Sequence, residues 1–279
     1  MLTGEPAPIG VFDSGIGGLS VLRALRAALP QHDFIYLADS GFAPYGERTD
    51  AFVVARSQAV TAWLVGQGIA ALVVACNTAT AAAIAVLRTQ YPDLPIVGVE
   101  PALKPAVGLS RTGHIGVMAT RNTLNSAKFQ ALLATQASMA CFTSQPCDGL
   151  ASAIEEGAAS GDSTQAAWLC AQHITAMGGP SVFGTGTGQI DTLVLGCTHY
   201  PFASAHLQAL VGPGVQLVDN GIAVARQTQR LLPATPSLPT QPNGHLRLIS
   251  TGPSGPLQAG ARRWLGLADD NARVESLSI

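Results

Sequence analysis

The chain has 279 residues, of which 47% are hydrophobic and 11% are charged, and its formal net charge is −2. A chain of this length and apolar content can bury a sizeable core, which argues against an intrinsically disordered protein. The near-neutral charge offers no basic patch for nucleic acid. Function therefore has to be sought in particular residues.

The five cysteines lack the short spacing of a metal site or of a disulfide framework, so we expect no metal and free thiols in a reducing compartment. The first eight residues lack the charged-then-apolar order of a secretion signal. No apolar run approaches the roughly 20 residues of a membrane span. These features predict a cytoplasmic protein with no membrane partner.

Apolar runs typical of buried strands alternate with segments of helical periodicity along the chain. The predicted strands end at Phe12, Ala38, Ala75, Val99, Thr120, Thr143, Gly196, Asp219 and Ser250. The predicted helices include 50–66, with Asp50 as its cap, 78–88 and one that runs through Leu133. Stretches 178–189 and 233–244 are predicted as exposed connections. The alternation predicts α/β architecture with parallel sheet and helices on both faces.

Cys76 and Cys197 each follow a predicted buried strand and each precede two polar residues. Sites in open α/β sheets cluster at the carboxyl ends of strands. A helix amino terminus is expected after each cysteine, where its N–H groups would stabilise a thiolate. Two such thiols suit acid–base chemistry in which one removes a proton and the other returns one from the opposite face. We therefore predict that Cys76 and Cys197 face each other across a small substrate.

Other polar groups lie near predicted strand ends. Asp13 and Ser14 open a Gly-rich turn, where they either cap the next helix or hold a substrate group; no Lys follows, so the turn is not a Walker loop. The segment 44–46 is either an ordinary turn or a binding loop. His199, two residues beyond Cys197, is expected to handle protons.

Seven short motifs occur in order along the chain, in segments 13–21, 44–46, 75–79, 116–120, 196–201, 219–223 and 262–266. Together they resemble the motifs of the glutamate racemase family. It implies two facing α/β domains, formed by residues 1–99 plus 214–279 and by residues 100–213, with the active site in the cleft between them. It also implies interconversion of L- and D-glutamate without pyridoxal phosphate, metal or other cofactor, supplying D-glutamate for peptidoglycan.

The resemblance also implies roles for single residues. Cys76 would act on the α-proton of D-glutamate and Cys197 on that of L-glutamate, with help from Asp13, His199 and Glu155, for which Glu156 is the alternative. The implied substrate-binding residues are Ser14, Pro44, Tyr45, Gly46, Asn77, Thr78, Thr120, Thr123 and Thr198. Asn122 replaces a common family Gly, and because Asn tolerates a left-handed backbone better than most residues, the turn before Thr123 is expected to survive. A homodimer and an activating cell-wall precursor stay open as partners.

Other functions remain open. A related two-cysteine racemase or isomerase would act on aspartate, a hydantoin or maleate. A catalytically idle amino-acid-binding or partner-regulating protein would keep the same fold, although two intact cysteines argue against it. A thioredoxin-like redox role is disfavoured because the chain has no Cys-x-x-Cys pair.

Overall fold

The computed structural model describes residues 7–232 and 244–279. The connection predicted at 233–244 lies, apart from Gly244, outside the described residues. The strands are β1 (Ile9–Asp13), β2 (Phe34–Ala38), β3 (Ala71–Val74), β4 (Ile96–Gly98), β5 (His114–Ala119), β6 (Cys141–Pro146), β7 (Thr192–Leu195), β8 (Gln216–Val218), β9 (Leu246–Ser250) and β10 (Val274–Ser276).

Helices alternate with these strands along the chain. They are α1 (Leu19–Ala28), α2 (Asp50–Gly66), α3 (Asn77–Gln90), α4 (Leu103–Leu109), α5 (Arg121–Asn125), α6 (Ala127–Gln136), α7 (Leu150–Ser160), α8 (Thr164–Ala176), α9 (Ser204–Val211), α10 (Gly221–Leu231) and α11 (Ser254–Leu265). None of the helices in the described part of the chain is long and apolar enough to cross a membrane.

The chain divides into two units, each built on one parallel sheet. The first unit runs up to Val99 and resumes at Gly221, and the second is Glu100–Asn220. The first sheet has the order β10-β9-β2-β1-β3-β4, and the second has the order β6-β5-β7-β8. Every ladder among the described strands is parallel, which confirms two parallel-sheet α/β units.

Both sheets reverse their strand order beside the first strand of the unit. In the first unit β1 lies between β2 and β3, and in the second β5 lies between β6 and β7. Ligands of open α/β sheets bind at such switch points, outside the carboxyl ends of the strands. The residues that follow β1 and β3, and those that follow β5 and β7, therefore occupy the expected position of a site in their own unit.

Each unit has its own apolar core, which fixes these strand ends. In the first unit the buried cluster includes Leu64, Leu72 and Ile84. In the second unit it includes Val117 and Val194. Burial of each such side chain contributes about 1.5–3 kcal/mol, so the sheet edges that carry the polar groups are held rigidly.

Two predicted boundaries are wrong. The second domain boundary was expected between residues 213 and 214, but it falls after Asn220 because β8 pairs with β7 and so belongs to the second sheet. The helix predicted to run through Leu133 is divided into α5 and α6. Ser126 divides it, because its Oγ accepts the N–H of Phe129 at 3.1 Å and starts a new helix there.

The cap predicted for α2 is also wrong. Thr49, and not Asp50, is the N-cap, and its hydroxyl accepts the N–H of Phe52 at 3.3 Å. Asp50 is the first helical residue, where a carboxylate favours the positive end of the helix dipole. The short elements α4 and β10 were not predicted, since three to seven residues carry too little periodicity.

Candidate active site

Cys76 lies at the junction between β3 and α3 in the first unit. It is the N-cap of α3, and its Sγ accepts the N–H of Ala79 at 3.4 Å. The thiol also lies 3.8 Å from the Oγ of Ser14. The helix amino terminus predicted after Cys76 is therefore confirmed. Its first-turn N–H groups are placed to stabilise negative charge on the sulfur.

Asp13 ends β1 on the neighbouring strand. Its Oδ2 accepts the N–H of Gly18 at 2.6 Å, so Asp13 braces the turn that leads into α1. A Cβ added at Gly18 would lie 2.7 Å from the Cβ of Asp13, which explains the glycine. The structure thus supports the interpretation of Asp13 as a turn-capping residue, and it also places Asp13 and Ser14 beside the strand that carries Cys76.

Asn77 follows Cys76 and is 4% exposed. Neither its amide nitrogen nor its amide oxygen has a hydrogen-bond partner among the described residues. A buried amide left unpaired costs about 1–3 kcal/mol, and such a group in a native protein calls for an explanation. A polar ligand atom would supply one. Thr78, the next residue, is also buried.

The segment 44–46 forms a short turn after β2. Pro44 and Gly46 are half-buried, whereas the ring of Tyr45 is buried in the core cluster that contains Cys76. The Tyr45 hydroxyl donates to Oδ2 of Asp39 at 2.5 Å. Contact between Tyr45 and a ligand would therefore fall to its backbone, since the hydroxyl is already engaged.

Cys197 lies two residues beyond β7 in the second unit, and it carries a chain of polar contacts. Its Sγ lies 3.7 Å from Nδ1 of His199. Nε2 of the same ring lies 2.8 Å from Oε2 of Glu155 on α7. The structure brings these three predicted residues together, and it leaves the alternative carboxylate, Glu156, exposed.

Helical structure also follows Cys197, as expected, but its first turn is not α-helical. A short 3-10 turn, Tyr200–Ala203, comes first, and α9 begins only at Ser204. Pro201 occupies this turn and has no N–H to offer. The side chain of His199 contributes a polar contact to this thiol.

The charge of His199 follows from these contacts. Burial alone would lower the pKa of His199, but hydrogen bonds and charge from Cys197 and Glu155 outweigh burial and hold the pKa well above its usual value. The imidazole is therefore protonated over a wider pH range than a free histidine. A buried imidazolium between a carboxylate and a thiol can stabilise the thiolate.

Thr120 and Thr123 lie at the carboxyl end of β5. Thr120 is the N-cap of α5; its Oγ1 accepts the N–H of Thr123 at 3.2 Å and donates to the Thr123 hydroxyl at 2.9 Å. Asn122 lies within α5, and no non-glycine residue of the described chain has a positive φ, so this position does not need a left-handed backbone. Thr198 is buried next to Cys197.

Sequence reasoning missed two groups beside these residues. Asp39 is fully buried and forms an ion pair with Arg56. The sequence signal that could have identified it is its position directly after β2, which resembles the position of Asp13 at the end of β1. The hydroxyl of buried Tyr200 donates to the carbonyl oxygen of Cys147 at 3.3 Å, which ties the Cys197 segment to the start of α7. No group of three His, Cys, Asp or Glu side chains in the described ranges is arranged to hold a metal ion.

Comparison with known proteins gives matches over nearly the whole chain. The Asp/Glu/Hydantoin racemase family matches residues 18–228. A glutamate racemase of Ectopseudomonas mendocina is 49% identical over 253 residues, which are 91% of this chain and 92% of that protein. A glutamate racemase of Ralstonia nicotianae is 46% identical over 275 residues, which are 99% of this chain and 95% of that protein.

Solved structures agree with these matches. The glutamate racemase isoform RacE1 of Bacillus anthracis has a TM-score of 0.82 and 29% identity, with 98% of each chain covered. The Escherichia coli glutamate racemase in complex with L-glutamate and the activator UDP-MurNAc-ala has a TM-score of 0.78 and 30% identity, with 93% of this chain and 96% of that chain covered.

Proposed function

We propose that this chain, which belongs to the Asp/Glu/Hydantoin racemase family, interconverts L- and D-glutamate with two cysteines as its bases. The curated relatives that match most of its length are glutamate racemases, so its enzyme class is an isomerase that acts on amino acids. In the proposed reaction the residues of this chain supply the bases and donors, and no cofactor takes part.

One observation carries the proposal: the two thiols hold equivalent positions in two similar sheets. Cys76 follows β3 and Cys197 follows β7, and each of these strands flanks the first strand of its unit at the switch point. Equivalent positions in two halves support a site in which each half supplies one base. In the proposed site the two sulfurs lie on opposite sides of the substrate α-carbon.

The chemical task explains the surrounding groups. Removing an α-proton beside a carboxylate adds negative charge to a group that is already negative, so preorganised donors must stabilise the developing enolate-like charge. In the proposed site these donors are backbone N–H groups and the hydroxyls of Ser14, Thr78, Thr123 and Thr198, while the Thr120 hydroxyl orients that of Thr123. The unpartnered amide of Asn77 supports a polar contact with the substrate on the Cys76 side.

Proton transfer is then divided between two thiols. We assign Cys197 to the α-proton of L-glutamate, with His199 stabilising its thiolate and Glu155 holding the imidazolium in place. We assign Cys76 to the α-proton of D-glutamate, with Asp13 keeping the adjacent turn in place. Whichever thiolate removes the proton, the opposite thiol returns one, which inverts the carbon.

The biological setting is part of the same proposal. D-glutamate made by this reaction would supply peptidoglycan synthesis, as is typical of the family. The Escherichia coli neighbour with a bound UDP-MurNAc-ala activator supports a cell-wall precursor as a regulator of this chain as well. Backbone contacts of the segment 44–46 would complete the glutamate site, and a homodimer stays a prediction.

Exchange with deuterated water tests the two-base chemistry. Purified protein, treated with a chelator and given no cofactor, is incubated with each glutamate enantiomer in D2O. A two-base mechanism places deuterium in the product from the first turnover, while the remaining substrate keeps its protium at low conversion. Equal early deuteration of substrate and product would contradict the proposal. A panel of aspartate, hydantoin and maleate, analysed in parallel, separates the alternative substrates.

A further inference from the structure

We propose that Arg56 is a positioning residue for the substrate loop, defined here as residues 44–46, and that it acts through Asp39 and Tyr45. The inference rests on the proposed assignment of this loop to glutamate. It adds a residue on α2 that has no direct place in the proton-transfer chemistry.

Asp39 is the centre of the arrangement. Its carboxylate is fully buried at the carboxyl end of β2. Oδ2 accepts the Tyr45 hydroxyl at 2.5 Å and Nε of Arg56 at 3.0 Å. Oδ1 accepts Nη2 of Arg56 at 2.8 Å and the Thr251 hydroxyl at 2.8 Å. Each oxygen therefore has two donors, and the direction of the carboxylate is fixed.

Arg56 fixes that carboxylate because its own guanidinium is held on several sides. Its side chain is only 12% exposed. Two nitrogens engage Asp39 as a fork, and the third, Nη1, donates to the carbonyl oxygen of Ile279 at 2.9 Å. The group also lies 3.5 Å from the ring centroid of Phe42, in cation–π contact. A planar fork fixed in this way orients a carboxylate more strictly than an ammonium group can.

Tyr45 links this arrangement to the candidate active site. Its hydroxyl meets Asp39, its buried ring belongs to the same core cluster as Cys76, and its turn packs against α3. Burial and the neighbouring carboxylate raise the pKa of Tyr45 far above its usual value, so the hydroxyl remains a donor to Asp39. Because the ring cannot shift within a packed core, the backbone of Pro44 and Gly46 is held beside the Cys76 helix.

The first unit offers a matched control for the ion pair. Arg247 on β9 forms the same fork with Glu275 on β10, at 3.0 and 2.9 Å. That pair is about half exposed, and the remaining guanidinium nitrogen, Nη1, donates to the side-chain oxygen of Gln67, which is not a candidate site residue. A Lys at position 247 keeps the charge and loses the fork, as it would at position 56.

The test compares three variants, Arg56→Lys, Tyr45→Phe and Arg247→Lys. For each we would measure steady-state racemisation from both enantiomers, glutamate affinity by calorimetry, and Tm. Arg56→Lys should raise KM and weaken glutamate binding about 10- to 100-fold, with a smaller change in kcat, because a loop displaced by a fraction of an ångström loses its contacts. Tyr45→Phe should act in the same direction, and Arg247→Lys should resemble the wild type.

The outcomes separate the inference from the proposed chemistry. Wild-type KM and affinity in both Arg56→Lys and Tyr45→Phe would overturn the inference. If Arg56→Lys does not fold, Tyr45→Phe decides alone, since it leaves the ion pair intact. Wild-type protein that binds glutamate without racemising it would refute the proposed chemistry. The glutamate affinities of the variants would still test whether Arg56 positions the substrate loop. Failure of the wild type to bind glutamate would overturn the inference together with the assignment of the loop.

Discussion

Nε2 of His199 lies 2.8 Å from Oε2 of Glu155, while Nδ1 of the same ring lies 3.7 Å from the sulfur of Cys197. The imidazole therefore connects a carboxylate on α7 to a thiol at the end of β7. A base oriented by a third group in this way is the usual means of activating a thiol. The electrostatic consequence is a raised pKa for His199.

Replacing Glu155 with Gln should lower the pKa of His199, because the neighbouring negative charge is lost. In the wild type the raised pKa means that the Glu155–His199 pair stabilises the fold fully below the unfolded-state pKa of about 6.5. This stabilisation disappears as pH rises through the folded-state pKa, so in Glu155→Gln the remaining effect should disappear at lower pH. NMR titration of the His199 ring measures the shift directly.

The adjacent carboxylate gives the control for this prediction. Glu156→Gln, on the exposed side of α7, should leave the His199 titration and the racemisation rate unchanged. Glu155→Gln should slow racemisation about 10- to 100-fold, as expected when a proton-transfer group loses its partner. An unchanged His199 titration in Glu155→Gln, or equal effects of the two variants, would refute the connection.

Cys76→Ser and Cys197→Ser should each reduce racemisation at least about 100-fold, because a serine hydroxyl is a much weaker acid than a thiol. Since the two enantiomers have equal free energy, kcat/KM must fall by the same factor in both directions. Chiral chromatography of initial rates measures this. Cys141→Ser, at an exposed thiol, is the control and should be neutral. Near wild-type rates in either active-site variant would exclude the two-base mechanism.

Asn77→Ala should weaken glutamate binding without destabilising the fold. Since the buried amide has no partner among the described residues, its removal should not lower the free energy of unfolding, but it should raise KM for glutamate. Asn220→Ala is the comparison, because Nδ2 of that buried residue donates to the carbonyl oxygen of Glu100 at 2.9 Å. It should lose about 1–3 kcal/mol. Urea unfolding and steady-state kinetics test both; unchanged KM in Asn77→Ala would contradict a substrate contact.

Two buried hydroxyls on α2 should destabilise the protein. Ser57 and Thr61 are fully buried, and neither hydroxyl has a hydrogen-bond partner within the described residues. Ser57→Ala and Thr61→Val should each raise the free energy of unfolding, by about 1 kcal/mol, because an unpaired buried polar group is removed. Urea denaturation measures the change.

The matched control for these hydroxyls lies on α10. Thr228 is equally buried, but its hydroxyl donates to the carbonyl oxygen of Val224 at 2.9 Å. Thr228→Val should therefore lower stability by about 1 kcal/mol. A loss of stability in Ser57→Ala and Thr61→Val similar to that in Thr228→Val would show that the α2 hydroxyls are satisfied.

The sequence by itself was enough to predict parallel α/β units and to place Cys76 and Cys197 at strand ends. Both results depend on local signals, namely apolar runs that must be buried and the polar residues at which those runs stop. Local signals also explain the errors. Ser126 and Thr49 set where two helices begin, because each side-chain oxygen accepts a backbone N–H, and neighbouring residues could have done the same. After Cys197 a 3-10 turn precedes the α-helix.

Only the tertiary structure shows that Glu155, and not Glu156, contacts His199. Consecutive helical residues point about 100° apart, and the rotation of α7 is set by packing that no local pattern encodes. The same holds for the Asp39 arrangement, in which Arg56 and Thr251 come from distant parts of the chain and meet because β2 lies between β1 and β9. Strand order depends on contacts across the whole unit, so the residues that share a sheet edge are known only once the sheet is assembled.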